Sequence, residues 1–226
     1  GDHRGARALT LASKVRLGFF SFTEITDPAR HRAYNEWHQL DHMPEQFPLD
    51  GVAYGRRWVS TPACRAARAA SGERLDPIHY LTCYLMTEPV TRTLEEFKAL
   101  AVELRDAGRW FEERRAVLSG PFPLVDGAAA SRVRVSAAAV PWRPERGVYA
   151  VVAPADDPGP GCDEWCAVPG VAGAWVFADE RRAVTLAWCD DDPLAVASRV
   201  GSLVPARAEL AGPFATVTPG EWDWFD

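Results

Sequence analysis

Four titratable side chains in the segment 35–51 have the spacing that proton transfer requires. His38 and His42 lie four residues apart on a predicted helix, and so do Asp41 and Glu45, so all four lie on or beside one flank of that helix. A carboxylate beside each imidazole suits general acid–base catalysis. The last helical turn, where His42 lies, favours the cationic form of the imidazole. We therefore expect His42 to be the acid–base group, with Asp41 or Glu45 as its partner and His38 beside it.

The same side chains also allow a structural interpretation and a metal-binding one. A histidine at the end of a helix can cap carbonyl groups, and Asp41 and Glu45 can form a solvated helix edge. Histidines at positions i and i+4 are a known pair of metal ligands, but no glutamate completes a zinc motif here and Pro44 disturbs the helix. We expect no metal and no cofactor, with a divalent metal or haem as the less favoured alternative.

Two predicted strands carry aromatic and polar side chains at alternate positions. On the first of these strands Tyr54, Arg56 and Trp58 alternate with small or aliphatic residues, and Tyr80 and Tyr84 do so on the next. Such a set suits a pocket for a planar, oxygenated organic ligand, with Arg56 as the contact for an anionic one. A packed core from which Arg56 reaches outward to solvent is the alternative.

Local signals predict the elements that position these residues. Asp27 followed by Pro28 predicts the start of a helix that ends near Met43, because Pro44 cannot continue it. Thr93, with a glutamate three residues later, predicts the capped start of a second helix. The predicted strands of the first half are 15–22, 52–60, 78–87 and 122–125, with a helical turn over 110–118 before the last.

Three blocks of sequence recur in the same order in the two halves of the chain. The matched blocks are 50–58 and 169–177, 80–89 and 184–193, and 118–127 and 210–220. Each half is predicted to form a βαββαβ ferredoxin-like unit, whose sheet has one bare face that must be covered. The simplest cover is the sheet of the other half. We therefore predict an α+β fold in which two ferredoxin-like repeats, 1–128 and 147–226, pack as a pseudo-dimeric α/β barrel, joined by an arm or extra strand at 129–146.

The first helix and the strand after it resemble the EthD-like group of the dimeric α/β-barrel superfamily. The resemblance rests on Trp37-x4-His42-x-Pro44-Glu45, followed by Gly51-Val52 and a strand that contains Arg56, Arg57 and Trp58. Members of the superfamily include cofactor-free monooxygenases, polyketide cyclases, lactone isomerases and haem-handling enzymes. Most are homodimers, whereas this chain carries both halves. We expect either a monomer with an internal pseudo-dimer or a homodimer.

The resemblance implies cofactor-independent oxygenation, cyclisation or isomerisation of an aromatic or polyketide-like compound. In such an enzyme His42 would be the acid–base group, and Tyr54, Arg56 and Trp58 would position the substrate. A non-catalytic small-molecule binding protein and a structural barrel protein are the alternatives, so the resemblance does not decide whether the chain is an enzyme. The second half lacks the histidine-bearing segment, so we expect one site.

Composition narrows the class of partner. The 226 residues include 25 Lys and Arg against 31 Asp and Glu, a net charge of −6, which excludes a generic nucleic-acid binder and offers no attraction to an anionic membrane. No stretch approaches the roughly 20 apolar residues that cross a bilayer. The five cysteines are scattered and odd in number, as expected for reduced thiols in the cytoplasm. We expect a cytoplasmic protein whose partner is a small organic ligand, with no nucleic acid and no membrane.

Overall fold

The structure, a computed structural model, describes residues 13–226. The first half contains, in chain order, β1 (Val15–Ile25), α1 (His31–Trp37), β2 (Val52–Val59), α2 (Pro62–Ala66), β3 (Ala70–Ser71), β4 (Tyr80–Thr87), α3 (Val90–Asp106) and β5 (Arg114–Ala129). The second half contains β6 (Gly147–Pro154), α4 (Cys162–Cys166), β7 (Val171–Ala178), β8 (Arg182–Cys189), α5 (Pro193–Ala197) and β9 (Leu210–Thr216). Within the described range, no helix has both the length and the apolar character needed to span a membrane.

Eight strands form a closed antiparallel ring in the order β2-β4-β1-β5-β7-β8-β6-β9, with β9 pairing back onto β2. Each half contributes its second, third, first and fourth long strand in that order. The halves meet where β5 pairs with β7 and where β2 pairs with β9. The predicted fold class is therefore confirmed: an α+β chain in which two ferredoxin-like βαββαβ repeats pack as a pseudo-dimeric α/β barrel.

The inside of the ring is a packed hydrophobic core. The ring of Phe20 on β1 contacts Phe177 and Phe122 edge-on, at centroid distances of 5.0 and 5.7 Å. Trp175 on β7 meets Trp188 on β8 in the same way, at 5.6 Å. Large aromatic side chains of this kind supply much of the apolar area that a fold buries. The barrel interior therefore stabilises the fold, and Tyr54 and Trp58 face into it.

The pairing register corrects the predicted facing of β4. Trp58 on β2 lies opposite Leu81, and Gly55 lies opposite Tyr84. Because opposite residues share a face, Leu81 faces the barrel interior together with Trp58. Tyr80 and Tyr84 lie on the outer, helix-covered face, contrary to the prediction that they line the interior. The prediction assigned side chains to the two faces by their polarity. In the structure, the pairing of β4 with β1 and β2 fixes which side chains share a face.

Two segments next to β5 also differ from their predictions. The helical turn predicted before this strand is absent, because the chain is already extended at Arg114, which pairs with Ile25 of β1. The linking arm contains a 3₁₀ helix, Ala137–Trp142, and no strand of its own. β5 therefore begins at Arg114, before the predicted start at residue 122, and it carries side chains that the predicted strand does not include.

Helix α3 covers the outer face of the first half. It begins at Val90 with Pro89 at the N-cap, so the predicted capping box is wrong, and the Thr93 hydroxyl instead donates to the Pro89 carbonyl at 3.2 Å. Gly51, just before β2, lets this first turn approach: a Cβ on Gly51 would lie within 1.8 Å of Thr93 Oγ1. Phe97, one turn further, packs on the sheet. A cavity opens beyond it.

Candidate active site

A cavity of about 250 Å³ lies between the outer face of the first half's sheet and the helices that cover it. Its floor comes from β1, β4 and β5, and its walls come from α3 and from the segment that follows α1. It is lined by Phe19, Ser21, His38, His42, Gln46, Thr82, Tyr84, Phe97, Lys98, Ala101, Trp110, Arg114, Ala116 and Ser119. This cavity is thus on the opposite face of the sheet from the barrel interior, where the pocket was expected.

A π-helical turn over His38–His42 brings both candidate histidines to the cavity. The turn continues α1 with a wider ladder, in which the Met43 amide donates to the His38 carbonyl at 2.8 Å. π-helical turns often occur at functional sites. The two imidazole rings lie 5.1 Å apart, and the His42 ring stacks on Trp37 at 4.5 Å. Both side chains are buried.

The ring nitrogens of the two histidines have different partners. Nδ1 of His38 lies 3.1 Å from the Tyr34 hydroxyl, and its Nε2 lies 3.5 Å from the Tyr84 hydroxyl. Nδ1 of His42 is enclosed and has no hydrogen-bond partner among the described residues. The ring of Tyr84 lies directly on Gly55, where any side chain would displace it. His38 is thus held between two phenols, and His42 is held by stacking.

Both imidazoles are neutral at neutral pH. Burial, with the positive charge of Arg114 as the second cause, lowers the pKa of His42 from an ordinary 6.5 to about 3. Burial, followed by the charge of Arg57, also lowers the pKa of His38 well below its usual range. The prediction that the helix end holds His42 in its cationic form is therefore wrong, because desolvation opposes the charge.

Asp41 and Glu45 bind an arginine instead of the imidazoles. Arg109, just after α3, donates to the Asp41 carboxylate at 2.6 Å and to Glu45 Oε1 at 2.7 Å. These three side chains are more than one-third exposed. No hydrogen bond joins either carboxylate to His42 in the described part of the chain. The two carboxylates therefore tie the end of the first helical segment to α3 and lie outside the cavity lining.

The predicted ligand-binding residues are divided between the two faces of the sheet. Tyr54 and Trp58 belong to the barrel core, and Arg56 donates to the carboxylate of Glu145 at 2.6 and 3.1 Å. Tyr80 lies on the helix-covered face but in a separate network, and Tyr84 lines the cavity. The structure thus brings together His38, His42 and Tyr84, and it leaves the other predicted residues apart from them.

The separate network is built on a buried arginine without a carboxylate partner. Arg57 donates to Asn35 Oδ1 at 2.9 Å, and its guanidinium lies over the rings of Tyr34 and Tyr80 at 5.1 and 5.5 Å. Asn35 in turn donates to the Tyr80 hydroxyl at 2.8 Å, which also lies 3.0 Å from Nδ1 of His31. This positive charge behind the cavity is one reason why His38 stays neutral.

No protein-family model and no curated protein matches the chain. Several solved structures are similar to the chain. A monooxygenase-like protein of Fusobacterium nucleatum has 9% identity and a TM-score of 0.45, with 91% of this chain and 94% of that chain covered. An anthrone oxidase-like protein has 11% identity and a TM-score of 0.47, with 94% of each chain covered. A chlorite dismutase-like protein has 11% identity and a TM-score of 0.48, with 93% and 98% covered. The similarity concerns the arrangement of strands and helices alone.

Arg114 is a charged residue of this site that the sequence analysis did not single out. It lines the cavity from the start of β5, and its guanidinium lies 4.3 Å from the ring centroid of Trp110 and 5.4 Å from that of Trp37. It falls within the helical turn predicted over 110–118, and the run of charged residues at 112–115 shows no strand-like alternation. The pairing of this stretch with β1 is the missing information, and it comes from the tertiary structure.

The donor set around the histidines does not suit a divalent metal. In the described part of the chain, no three His, Cys, Asp or Glu side chains are grouped so that they could hold a metal ion. Structural and catalytic zinc sites in proteins use at least three such ligands. These residues can form hydrogen bonds and transfer protons through neutral imidazoles, beside phenols and a guanidinium.

Proposed function

We propose that the chain is an EthD-like small-molecule enzyme whose substrate, an aromatic or polyketide-like compound, binds in the cavity beside the π-helical turn. The observation that carries this proposal is the lining itself: aromatic rings surround a few convergent polar groups, as in most small-molecule sites. An engineered cavity of about 150 Å³ holds benzene. A volume of about 250 Å³ therefore suits a compound of one or two fused rings.

The proposed chemistry begins with proton transfer to a neutral imidazole. His42 accepts the proton of an acidic C–H or O–H of the substrate, and the bonding electron pair stays on the substrate as an enolate or phenolate. The positive charge of Arg114 stabilises this anion. Burial is the main cause of the low pKa of His42 and the charge of Arg114 is the second. The anion offsets that second cause, so the imidazole becomes more basic as the proton moves. Cofactor-independent oxygenation, cyclisation and isomerisation can all start from such a step.

The other cavity residues position the substrate in this scheme. His38 is oriented by the hydrogen bond between its Nδ1 and the Tyr34 hydroxyl, so its Nε2 and the Tyr84 hydroxyl are presented together. Asp41 and Glu45 act only through Arg109, by holding the π-helical turn against α3. The predicted roles of Arg56, Tyr54 and Trp58 in substrate binding are not part of the proposal, because their contacts lie in and beside the barrel core.

A non-catalytic binding protein is the second candidate. It is favoured by the absence, among the described residues, of a carboxylate hydrogen-bonded to either imidazole. A neutral histidine with so low a pKa is a weak base. Such a residue can accept a hydrogen bond from a ligand without removing its proton. Binding without turnover would then be the whole function of the cavity.

Exchange of a substrate proton with solvent tests the proposal. We suggest 2-tetralone in D₂O as the probe, with deuterium incorporation followed by NMR and binding followed by calorimetry. A positioned general base contributes about 10²–10⁴-fold. The wild-type chain should accelerate exchange, and His42→Phe should lose most of that acceleration. Glu36→Gln, an exposed change on α1, is the matched control and should keep it.

The outcomes separate the two candidates. Acceleration that depends on His42 supports the enzyme. Binding of 2-tetralone without acceleration supports the binding protein and contradicts the proposed base. Neither binding nor acceleration, for this probe and for 2-naphthol, contradicts the placement of a small aromatic compound in the cavity.

A further inference from the structure

We propose that the cavity selects an organic anion, an aromatic carboxylate or a ring bearing an ionised acidic hydroxyl, and that Arg114 binds the charged group. This inference rests on the proposed function, because it names the chemical class of the compound that the cavity holds. The charges, the hydrogen-bond donors without acceptors and the restrained position of one guanidinium carry it.

The charge of the cavity is opposite to that of the chain. The whole chain has six more acidic than basic residues, yet none of the lining residues is acidic and two of them, Lys98 and Arg114, are basic. Lys98 is exposed at the edge of the cavity, and Arg57 adds a buried positive charge behind His38. A ligand inside therefore experiences a positive field on several sides, which favours a negative charge.

Arg114 is partly buried and, unlike Arg57, has neither a carboxylate nor an amide oxygen as a partner among the described residues. Arg56, Arg109 and Arg132 each bind a carboxylate at 2.6–2.7 Å. None of the N–H donors of Arg114 has an acceptor among the described residues, and its Nε is enclosed. Burial also lowers the pKa of Arg114. A partly buried, uncompensated charge is costly, and an anion that binds it offsets that cost.

The guanidinium of Arg114 is held in place before any ligand arrives. It lies over the indole ring of Trp110 at 4.3 Å, with the ring of Trp37 at 5.4 Å, and this cation–π packing restrains its position. A planar guanidinium matches the two oxygens of a carboxylate and binds them with two parallel hydrogen bonds. Cation–π packing alone would explain the position of the side chain, but it leaves the terminal N–H donors without acceptors.

The rest of the cavity accepts a flat apolar body attached to that anion. The rings of Phe19 and Phe97 lie 4.9 Å apart, and Tyr84 meets Phe97 edge-on at 5.3 Å. These rings and Trp110 form an apolar wall beside the guanidinium. The combination of an apolar wall and one restrained cation is the chemistry that recognises an aromatic monoanion.

Calorimetric binding of two isosteric probes tests this inference. The probes are 2-naphthoate and the uncharged 2-naphthamide, each titrated into the wild-type chain, Arg114→Met, Arg114→Lys and Arg105→Met. Arg105 is the matched control, because its guanidinium also stacks on Trp110, at 4.5 Å, but is exposed. Circular dichroism spectra confirm that each variant is folded.

We expect the wild-type chain to bind 2-naphthoate at least tenfold more tightly than 2-naphthamide. Arg114→Met should lose at least tenfold affinity for the carboxylate and keep its affinity for the amide. Arg114→Lys retains the charge but not the planar pair of donors. Its affinity for 2-naphthoate should lie between those of the wild-type chain and Arg114→Met. Arg105→Met should bind both probes as the wild type does.

Three results would overturn the inference. The first is equal affinity of the wild-type chain for both probes, which leaves the proposed function standing and removes only the charge selection. The second is an equal loss in Arg105→Met and Arg114→Met, which would mean that general surface charge attracts the carboxylate. The third is binding of neither probe, which would contradict the proposed function as well.

Discussion

Histidine protonation is controlled by desolvation in this protein. Burial is the largest cause that lowers the pKa of all four described histidines: His31 to about 4, His42 and His79 to about 3, and His38 well below its usual range. A group of this kind stays neutral in the folded chain and takes up its proton only in the unfolded chain. Acid therefore favours unfolding, because the unfolded state binds more protons.

The first prediction is a loss of stability between pH 6.5 and 5, above the range in which ordinary carboxylates titrate. Unfolded histidines become charged below about pH 6.5, whereas the folded ones resist protonation down to about pH 3–4. Each such histidine lowers the free energy of unfolding by up to about 1.4 kcal/mol per pH unit in that window. Urea unfolding midpoints at pH 7.5, 6 and 5 measure this effect. His42→Phe should show a smaller slope, and a midpoint independent of pH would contradict the prediction.

The second prediction concerns the buried guanidinium of Arg57. Arg57→Met removes the donor to Asn35 Oδ1 and leaves that oxygen buried without this partner, which should cost about 1–3 kcal/mol of unfolding free energy. Arg92→Met is the control, because Arg92 forms an exposed pair with Glu96 four residues later on α3, and it should change stability by less than about 0.5 kcal/mol. Equal urea midpoints for the two variants would show that the Arg57 network is not stabilising.

At the scale of elements, the position of α3 on the sheet decides whether the cavity exists. Its first turn rests on the backbone just before β2, where Gly51 leaves room for Thr93. Its next buried residue, Phe97, forms part of the cavity wall. A displacement of the helix at this contact would therefore change the stability of the fold and the shape of the site together.

The third prediction follows from that contact. Gly51→Ala places a Cβ within 1.8 Å of Thr93 Oγ1 and should cost about 1–3 kcal/mol, because neither backbone can move away freely. Gly120→Ala on β5 is the matched control, since a Cβ there meets nothing within 4 Å. Thermal unfolding of the two variants makes the comparison. A melting temperature of Gly51→Ala equal to that of Gly120→Ala would contradict the close packing of α3.

The elements themselves were largely predictable from sequence, and their facing was less so. Periodicity, Pro44 and the matched blocks predict the strands, the end of the first helical segment and the ferredoxin-like order of both halves. They do not determine which face of β4 meets the helices, because Tyr84 is as compatible with a barrel interior as with a helix interface. Arg114 was missed for a similar reason: the strand that holds it forms by pairing with β1, which no local signal in the sequence encodes.

At the scale of the whole molecule, the strands close into a ring within one chain. The β5–β7 contact joins five residue pairs and the β2–β9 contact joins two, so both sides of the ring are sealed within one chain. Exposed strand edges are what sheet proteins use to associate or must protect. We therefore propose a monomer with an internal pseudo-dimer in preference to a homodimer.

The fourth prediction is the mass of that monomer in solution. Native mass spectrometry and light scattering should both give the mass of a single chain, because the ring is already complete. The same native spectrum, compared with the denatured mass, would detect a compound that stays bound through purification. A dimer mass that persists on dilution would contradict the proposed monomer.

The covalent link between β5 and β6 has a consequence for how the site responds to dilution. When two chains form a barrel, the fraction assembled falls with their concentration. Here the arm after β5 keeps the halves at an effective local concentration that, for short linkers, is on the order of millimolar. The core that supports the floor of the cavity therefore persists however dilute the protein is. In a cell that makes only a few copies of this chain, each copy would still have an intact site.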